Sequence, residues 1–506
     1  MFPTISFGNL EIAPQRLALR SAKVAGVLAG IGIKDGDTFA VMLRNEPALI
    51  EIMLAARQLG AYVVPLNWHF KADECGFILR DSGAKTLIIH DDLLAQISTG
   101  IPDIPVFKVQ GDAITAKPGQ KSVQTSCRGM HDWHAEVAQA DVLSTTSDRP
   151  RGTVAYTSGI TGRPKGVRRI PPADTAAATQ RLAYMNNRAL GITPGARCLI
   201  SAPLYHSAPG SYFLFAAHCA AWLRVEARFD AEATLAAIEH YKITHAYLVP
   251  IMFVRLLRLP QKVRNRYDLT SLQFVATTGA PCPHDVKRAM IEWFGEVIYE
   301  SYAASEIGYV TSISPREALA KPGSAGRPIE GVSLAILDDQ GEEVPPGTIG
   351  KIYVRTNLAL PFTYINRPAD RDAIEHNGFV TVGDIGYIDA DGYLFVIDRR
   401  TDLVLSGGVN IYPAEIEAQL TAMAGVADCA VFGVPDGEFG QSLVAVIQPV
   451  NGTVLTMRQI QEFLAPRLAN FKIPRVIQFR DTLPREDTGK IFKRRLREQY
   501  LSCDGT

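Results

Sequence analysis

Short apolar segments alternate with helical patterns through most of the chain before Lys321, and no other feature constrains the fold as strongly. One predicted helix begins at Asn45-Glu46-Pro47, which supplies an N-cap, an acidic residue and a proline in the first turn, and it ends at Gly60. The clearest pairs of a helix and a following strand are 45–60 with 62–64, and 231–241 with 245–249. A further strand is expected at 272–276. Short apolar strands separated by helices predict an α/β fold with parallel sheets covered on both faces.

The pattern changes after about residue 321, where turn signals become frequent. Pro345-Pro346-Gly347 and Asp389-Ala390-Asp391-Gly392 flank alternating segments such as 351–355 and 393–397. This section therefore predicts a small antiparallel barrel or meander, which completes a large N-terminal domain.

A shorter, mixed pattern from Asp402 onward predicts a small α+β domain. Its expected elements are a helix from Pro413, strands near Ala430 and Val444, a helix near Met457, a strand near Val476 and a terminal helix through Lys493-Arg494-Arg495. A chain of 506 residues is too long for one ordinary core. The charged stretch 398–402 is the expected boundary, between an N-terminal domain, 1–400, and a C-terminal domain, 401–506.

Composition limits the classes of function. Hydrophobic residues make up 47% and charged residues 21% of a chain with zero formal net charge, which is typical of a soluble protein and offers no electrostatic case for nucleic acid. Seven cysteines without C-x-x-C spacing predict a reduced compartment. No apolar run reaches the roughly 18–20 residues of a membrane helix, and no signal peptide is evident. We therefore expect a cytoplasmic protein and leave a homodimer open. Residues 131–134 contain two close histidines, and we interpret them as a loop that binds no metal.

The segment Thr157 to Gly166, TSGITGRPKG, is suited to wrap a polyphosphate. Its glycines let several backbone N–H groups point at one anion, while hydroxyl groups and a lysine add further donors. The β-branched and apolar run 153–156 places this loop after a buried strand. The candidate phosphate-binding residues are Thr157, Ser158, Gly159, Thr161, Gly162 and Lys165.

This loop is not a Walker A motif, because Pro164 stands where that motif has its second glycine. Loop composition alone would favour an ordinary surface turn. The order S-G-x-T-G-x-P-K-G, however, resembles the phosphate loop of adenylate-forming enzymes, the family of acyl-CoA synthetases, peptide-synthetase adenylation domains and firefly luciferase.

Seven further segments resemble motifs of this family and occur in the family's order. They are Pro203–His206, Thr278–Pro281, Ser301–Glu306, Val382–Asp384, Asp398–Arg399, Ser406–Pro413 and Pro484–Lys490. Within the third segment, Ala303 replaces a glycine and Ser305 replaces a threonine of the usual Y-G-x-T-E. Each match alone is weak, but seven in order are highly specific.

The resemblance implies a nucleotide site for ATP. The 157–166 loop would hold the β- and γ-phosphates, Glu306 would hold Mg²⁺, a hard cation that prefers carboxylate and phosphate oxygens, and Asp384 would bind the ribose hydroxyls with help from Arg399. Tyr302 would stack on the adenine. The other implied nucleotide-binding residues are Gly279, Ala280, Pro281, Ala303 and Ser305.

The resemblance also implies that Lys490 catalyses the first half-reaction. An ammonium group that reaches both the substrate carboxylate and the α-phosphate offsets the repulsion between two anions. His206 would shape or gate the entrance for the carboxylate. Without its motif, Lys490 would be interpreted as a surface lysine in a charged tail. Without its motif, His206 would be interpreted as a histidine that only packs against its neighbours.

Coenzyme A is the implied acyl acceptor. Its thiol tunnel would be lined by Ser406, Gly407, Gly408 and Phe471. The small domain cannot present Lys490 and this tunnel to the site at once, so the resemblance implies a mobile C-terminal domain that rotates between half-reactions. Thr401 occupies the family's hinge position, where Asp or Lys is usual.

The acyl pocket is predicted to be hydrophobic. The residues expected to line it by position are Ala208, Tyr212, Gly279, Ala303, Tyr309 and Val310, and none of them is charged. A fatty, aromatic or sterol-type acid is therefore favoured over acetate or an amino acid. The stretch 258–272 resembles most the bacterial fatty-acid and bile-acid ligases.

The resulting hypothesis is an ATP-dependent carboxylic acid–CoA ligase. An enzyme that loads a carrier-protein thiol is the main alternative, and saturation by free CoA would separate the two. Luciferase-like oxidation of the adenylate would need oxygen. A catalytically silent binding protein is disfavoured, because Lys490, Glu306 and Asp384 are all present.

Overall fold

A computed structural model gives the fold. It describes residues 2–111, 130–147, 149, 151–157, 164–171, 174–399, 402–406, 409–436, 439–485 and 491–503.

Short strands, numbered in chain order, are distributed along the whole described chain. They are β1 Thr4–Phe7, β2 Leu10–Ile12, β3 Thr38–Met42, β4 Tyr62–Pro65, β5 Leu87–His90, β6 Val106–Val109, β7 Met130–Asp132, β8 Ala155–Thr157, β9 Lys165–Arg169, β10 Arg197–Ile200, β11 Trp222–Val225, β12 His245–Tyr247, β13 Phe274–Thr277, β14 Ile298–Ala304, β15 Gly308–Ile313, β16 Arg327–Pro328, β17 Val332–Leu337, β18 Gly350–Thr356, β19 Phe362–Tyr364, β20 Glu375–His376, β21 Phe379–Ile388, β22 Leu394–Arg399, β23 Val404–Ser406, β24 Val409–Ile411, β25 Val426–Asp436, β26 Gly440–Pro449 and β27 Val476–Phe479.

The α-helices are concentrated between the strands of the first two thirds of the chain. They are α1 Pro14–Gly30, α2 Pro47–Leu59, α3 Ala72–Asp81, α4 Asp91–Ile97, α5 Trp133–Gln139, α6 Thr175–Leu190, α7 Ser207–Cys219, α8 Ala231–Tyr241, α9 Pro250–Leu257, α10 Gln261–Arg264, α11 His284–Phe294, α12 Pro315–Ala320, α13 Pro368–Asp372, α14 Pro413–Thr421, α15 Met457–Leu464 and α16 Lys493–Cys503. Short 3₁₀ turns occupy Ser98–Gly100 and Asn470–Lys472.

Two largely parallel sheets form the centre of the N-terminal domain. The larger has the order β16-β15-β14-β13-β12-β10-β11-β1-β2, and its strands from β14 to β1 run parallel. The smaller has the order β4-β3-β5-β6-β7 and is parallel throughout. Helices cover both sheets, as the alternating pattern predicts, and a connected apolar core fills the layers between them.

The carboxyl ends of parallel strands meet at one edge of a sheet, and this edge is where α/β proteins bind ligands. The loops that follow β10, β12, β13 and β14 therefore lie together. They carry the segments 203–206, 278–281 and 304–306, which belong to three of the predicted motifs.

The section after residue 321 is antiparallel, as predicted. Its five-stranded sheet runs β17-β18-β21, with both β20 and β22 pairing with β21. The C-terminal part contains the hairpin β23–β24 and a sheet of order β25-β26-β27, packed against α14 and α15 around a small core of their own. The expected mixture of helices and strands is confirmed there.

Most predicted elements are found, and three interpretations need correction: the start of the strand 272–276, the loop at 131–134 and the helix cap at Asn45. The helix 231–241 is confirmed with its predicted bounds, and Asp230 caps it by accepting a bond from the Ala233 N–H at 2.8 Å. The strand expected at 272–276 begins two residues later, at Phe274. Residues 131–134 are not a loop: they end β7 and begin α5, which Asp132 caps.

Asn45 does not cap α2, contrary to the sequence prediction. The helix begins at Pro47, and its N-cap residue is Glu46. The Glu46 side chain makes no capping hydrogen bond. The Asn45 amide group instead donates to the carbonyls of Ala202 and Glu226, each at 3.0 Å, and its oxygen accepts from the Leu204 N–H at 2.9 Å. It therefore ties α2 to the loops that follow β10 and β11.

Among the described residues, no helix combines the length and the apolar character that crossing a membrane would require.

Candidate active site

A large cleft opens above the carboxyl edge of the nine-stranded sheet. Its volume is about 2080 Å³. Its walls come from the loops after β10, β12, β13 and β14, from one face of α6 and α7, from strands β8, β9 and β21, and from parts of the C-terminal region. Residues far apart in sequence are thereby brought to one cavity.

The strands that flank the predicted phosphate loop are antiparallel neighbours. Thr157 at the end of β8 lies opposite Lys165 at the start of β9, and both line the cleft. The loop residues Ser158, Gly159, Thr161 and Gly162 lie outside the described residues.

Lys165 is nearly buried and has a partner that the sequence did not indicate. Its ammonium group lies 2.8 Å from the carboxylate of Asp370 and 5.1 Å from the centre of the Tyr364 ring. Hydrogen bonding by Lys165 lowers the pKa of Asp370. The pair links β9 to the short helix α13.

Glu306 lies at the floor of the cleft, and 8% of its surface is exposed. Its Oε1 atom accepts hydrogen bonds from the hydroxyls of Tyr364 at 3.2 Å and Thr157 at 3.4 Å. Burial, followed by the nearby Glu306 charge, raises the pKa of Tyr364. The predicted magnesium carboxylate and the first residue of the phosphate loop are therefore in contact.

Arg169 is a site residue that the sequence analysis missed. Its guanidinium group donates to the carbonyls of Ser305 at 2.6 Å and of Glu306 and Leu360 at 2.7 Å. Burial lowers the pKa of Arg169 to about 10, although the neighbouring Glu306 charge opposes this effect. The available signal was its position, since a strand places residues 165, 167 and 169 on one face.

Tyr302 and Asp384, predicted to contact different parts of the nucleotide, bind each other. The Tyr302 hydroxyl donates to Oδ2 of Asp384 at 2.5 Å, and Asp384 is 4% exposed. This contact joins β14 of the parallel sheet to β21 of the antiparallel one. The backbone of Arg399 lies opposite Asp384 in the ladder between β21 and β22.

The loop predicted to lie beside the adenine follows β13. Gly279 has φ +94°, a conformation that side chains disfavour, and an added Cβ would meet nothing within 4 Å. It lines the cleft together with Ala280 and Pro281. Ala303 and Ser305 also line it, and the Ser305 hydroxyl lies 2.9 Å from that of Ser207 at the start of α7.

His206 directly precedes α7 and lies at the cleft. Its ring packs on Tyr205, with centroids 4.1 Å apart, and Tyr205 packs edge-on against Trp68. Beyond it, Ala208 and Tyr309 line the cleft, as predicted. The two remaining predicted residues, Tyr212 and Val310, have no exposed surface and lie behind this wall.

Among the described residues of the C-terminal region, some line the cleft and others do not. Lys490, Thr401, Gly407 and Gly408 lie outside the described residues. Arg485 and Ile491, the nearest described residues on either side of Lys490, are bridged to each other and line the cleft. Ser406 and Phe471, predicted for the thiol tunnel, are described but do not line it; Phe471 is 52% exposed.

Comparison with family models accounts for most of the chain. Residues 12–361 match the AMP-binding enzyme model, and residues 415–490 match the model of the AMP-binding enzyme C-terminal domain.

Curated relatives are similar over nearly the whole length. The chain is 33% identical to the long-chain-fatty-acid–CoA ligase FadD13 of Mycobacterium tuberculosis, over 94% of this chain and 91% of that protein. It is 31% identical to a feruloyl-CoA synthase of Amycolatopsis, over 98% and 95%. It is 30% identical to the fatty acid–[acyl-carrier-protein] ligase ScoC of Streptomyces coeruleorubidus, over 98% and 93%.

Solved structures of similar proteins have the same fold. The o-succinylbenzoate CoA synthetase MenE of Bacillus subtilis, in complex with its acyl-adenylate intermediate, superimposes with a TM-score of 0.79 at 27% identity, covering 97% of this chain and 94% of that one. Two family models in the expected order, full-length relatives and a shared fold lead to one conclusion: the chain is a member of the AMP-binding enzyme family.

Proposed function

We propose that this enzyme is an ATP-dependent carboxylic acid–CoA ligase. In the first half-reaction a carboxylate oxygen attacks the α-phosphorus of ATP, the bond from that phosphorus to the bridging oxygen breaks, and pyrophosphate leaves. In the second, the thiol sulfur of CoA attacks the acyl carbon, loses its proton and displaces AMP. The observation that carries the proposal is the convergence of Thr157, Lys165, Glu306, Tyr302 and Asp384 at one cleft.

The proposed ATP contacts come from the resemblance to the family's motifs, supported for Thr157, Lys165, Tyr302 and Asp384 by their position along the cleft. The 157–166 loop and Lys165 hold the β- and γ-phosphates, since hydroxyl, ammonium and backbone N–H donors suit these anions. Asp384 accepts from the ribose hydroxyls with Arg399 beside it. Tyr302 contacts the adenine, and the remaining nucleotide-side residues are Gly279, Ala280, Pro281, Ala303 and Ser305.

The residues at Glu306 fit a magnesium ion. Its carboxylate is buried and accepts hydrogen bonds from two neutral hydroxyls, while the guanidinium group of Arg169 lies near it. Within the described ranges, no three His, Cys, Asp or Glu side chains group into a metal site. Mg²⁺ is commonly bound by one or two carboxylates together with substrate phosphates, so a single buried carboxylate beside a phosphate loop suits it. When bound, the ion would neutralise charge on the phosphate oxygens.

We propose a hydrophobic acid, of the fatty, aromatic or sterol type, as the substrate. The wall beyond His206 is built from uncharged side chains such as Ala208, Ala303 and Tyr309. The relatives named for long-chain fatty acids and for ferulate support this class.

For the second half-reaction we propose a rotation of a C-terminal domain, 401–506, on the domain 1–400 with Thr401 as hinge. Arg485 and Ile491 line the cleft while Ser406 and Phe471 do not, which suits the adenylating arrangement. Rotation would bring Ser406, Gly407, Gly408 and Phe471 to the thiol of CoA.

Lys490→Ala tests whether Lys490 acts in adenylation and not in thioester formation. We expect acyl-adenylate formation to fall by about 10²–10³-fold, because a charge that stabilises the transition state is lost, while thiolysis of supplied acyl-AMP stays within a few-fold of wild type. Pyrophosphate release and CoA consumption from acyl-AMP measure the two steps separately. Lys351→Ala, which removes a lysine paired with Asp339 at 2.8 Å, is the control. Equal loss of both half-reactions would contradict the assignment.

A carrier-protein thiol remains the second candidate acceptor, because ScoC is named as an acyl-carrier-protein ligase. Saturation of thioester formation by free CoA supports the first proposal. Product only with a phosphopantetheinylated carrier protein supports the second. We also predict a cytoplasmic location, and a homodimer stays open.

A further inference from the structure

Three tyrosine hydroxyls at the acyl side of the cleft have no hydrogen-bond partner among the described residues. They belong to Tyr212 on α7, Tyr247 at the end of β12 and Tyr309 on β15. All three side chains are buried, with 4% of Tyr309 and none of the other two exposed. Buried phenols usually find a partner, so three together require an explanation.

The three rings form one cluster. The centroids of Tyr212 and Tyr247 lie 5.4 Å apart. Burial raises the pKa of both hydroxyls, and the neighbouring Cys198 raises that of Tyr212 further; the charge that Tyr309 would carry adds a smaller effect at each, which indicates that the three groups are close. We call Tyr212, Tyr247 and Tyr309 the tyrosine cluster.

Neighbouring side chains do not satisfy the tyrosine cluster. Ser211 interacts with the Tyr309 hydroxyl and lowers its pKa against the larger effect of burial, but the geometry of this contact falls outside that of an ordinary hydrogen bond. Cys198 beside Tyr212 is a buried thiol, a weak partner at best. The cluster therefore retains unused capacity for hydrogen bonds.

Tyr247 and Tyr309 both contribute to the wall of the cleft. Their hydroxyl oxygens are enclosed, so contact between a hydroxyl and a substrate would require a change of χ1 at the tyrosine concerned. Asn186 on α6 lines the same cleft, and its side-chain oxygen also lacks a partner. Donors and an acceptor are thus both available on this side of the cavity.

We propose that the tyrosine cluster recognises an oxygen function on the acyl substrate, remote from its carboxylate: a hydroxyl, phenol or keto group. The inference rests on the proposed ligase activity and narrows its substrate class from hydrophobic acids to oxygenated hydrophobic acids. A site built to hydrogen-bond a substrate group discriminates strongly against the analogue that lacks it, because its own buried polar groups are then left unpaired.

Matched pairs of acids test the proposal. The probes are cinnamate with 4-hydroxycinnamate and decanoate with 10-hydroxydecanoate, measured by pyrophosphate release in the presence of CoA. We expect the oxygenated member of at least one pair to have a kcat/KM about 10-fold or more above its partner. Preference for the plain acid in both pairs would overturn the proposal.

Phenylalanine variants connect the preference to the cluster. Tyr247→Phe and Tyr309→Phe should lower kcat/KM for the oxygenated acid much more than for the plain one, so that the ratio of the two approaches one. Melting temperatures should change little, since neither hydroxyl makes an ordinary hydrogen bond within the described part of the chain. Tyr387→Phe, on a ring stacked against Phe395, is the control and should retain the wild-type ratio.

Two outcomes separate the failure of this inference from that of the proposed function. An unchanged ratio in both variants, with normal pyrophosphate release, would overturn the role of the tyrosine cluster and leave the ligase intact. The absence of acid-dependent pyrophosphate release with any of the four acids and a wider acid panel would overturn the ligase activity, and this inference with it.

Discussion

Arg169 shares one guanidinium group among three backbone carbonyls, two of which belong to the turn that carries Glu306. This turn connects β14 to β15, whereas Arg169 itself ends the strand that leaves the phosphate loop. The residue therefore fixes the distance between the proposed magnesium carboxylate and the phosphate-binding strand. It also places a positive charge behind Glu306.

Replacing Arg169 should loosen this connection. For Arg169→Met we expect the Mg²⁺ concentration for half-maximal ATP binding to rise about 5–10-fold, because charge-assisted hydrogen bonds that orient a ligand-bearing turn are lost. The KM for the acid should change little. Calorimetric titration of ATP at graded Mg²⁺ measures the effect without turnover.

The neighbouring arginine provides a matched control for that experiment. Arg168 makes one bond, to the Gly36 carbonyl at 2.9 Å, and packs over the Tyr62 ring. Arg168→Met should leave the Mg²⁺ requirement at the wild-type value. A similar rise in both variants would assign the effect to general loss of stability.

At the scale of elements, Asn45 connects helix α2 with two loops of the large sheet. Its side chain serves three backbone groups, and 1% of the residue is exposed. One of the two loops continues into Tyr205 and His206 at the cleft. A residue that resembles a helix cap in the sequence is therefore a tie between the two layers that support the site.

Asn45→Ala should lower the free energy of unfolding by about 1–3 kcal/mol, because buried backbone groups lose their partners. Thermal and denaturant unfolding measure it. Asn187→Ala, which removes one bond from an exposed asparagine to the Ile192 carbonyl, should cost less than about 1 kcal/mol. Equal losses in the two variants would contradict a special role for Asn45.

Sequence signals predicted a helix well when the residues that begin and end it lie next to it in the sequence. The helix 231–241 has its own cap in Asp230, and α2 ends at Gly60 with φ +73°, as its glycine indicated. They failed where distant contacts decide, as at Asn45, and at 131–134, where Asp132 caps a helix that was interpreted as a loop. Whether a side chain caps a helix depends on its rotamer and on competing partners, which the few residues around it in sequence do not determine.

The site was predictable as a list of residues but not as a set of contacts. Motif order identified Glu306, Tyr302 and Asp384, because these residues stand in recognisable segments. The pairing of Tyr302 with Asp384 and of Lys165 with Asp370 depends on how separate sheets pack. Arg169 and Tyr247 belong to none of the family motifs; strand alternation could have placed Arg169 on the same face as Lys165, but only the fold brings Tyr247 to the cleft.

At the scale of the whole molecule, the proposed reaction requires one cleft to serve two steps. Thr401→Pro restricts the backbone at the proposed hinge. We expect adenylation, measured as pyrophosphate release in a single turnover, to remain within a few-fold of wild type. Thioester formation should slow by about 10-fold or more, since the conformational step becomes limiting.

A proline elsewhere in the same region controls for nonspecific damage. Val454, which is 86% exposed, precedes α15, and Val454→Pro should leave both half-reactions unchanged. A normal second half-reaction in Thr401→Pro would place the pivot at another residue.

The contact between Lys165 and Asp370 gives the nucleotide an internal competitor. The Asp370 carboxylate, on the five-residue helix α13, already pairs with the Lys165 ammonium group that is proposed to bind the departing pyrophosphate. Entry of ATP is then an exchange of anions at one ammonium group, in which a phosphate displaces the protein's own ligand. Asp370 on α13 would lose its partner each time a nucleotide is bound and regain it each time pyrophosphate departs.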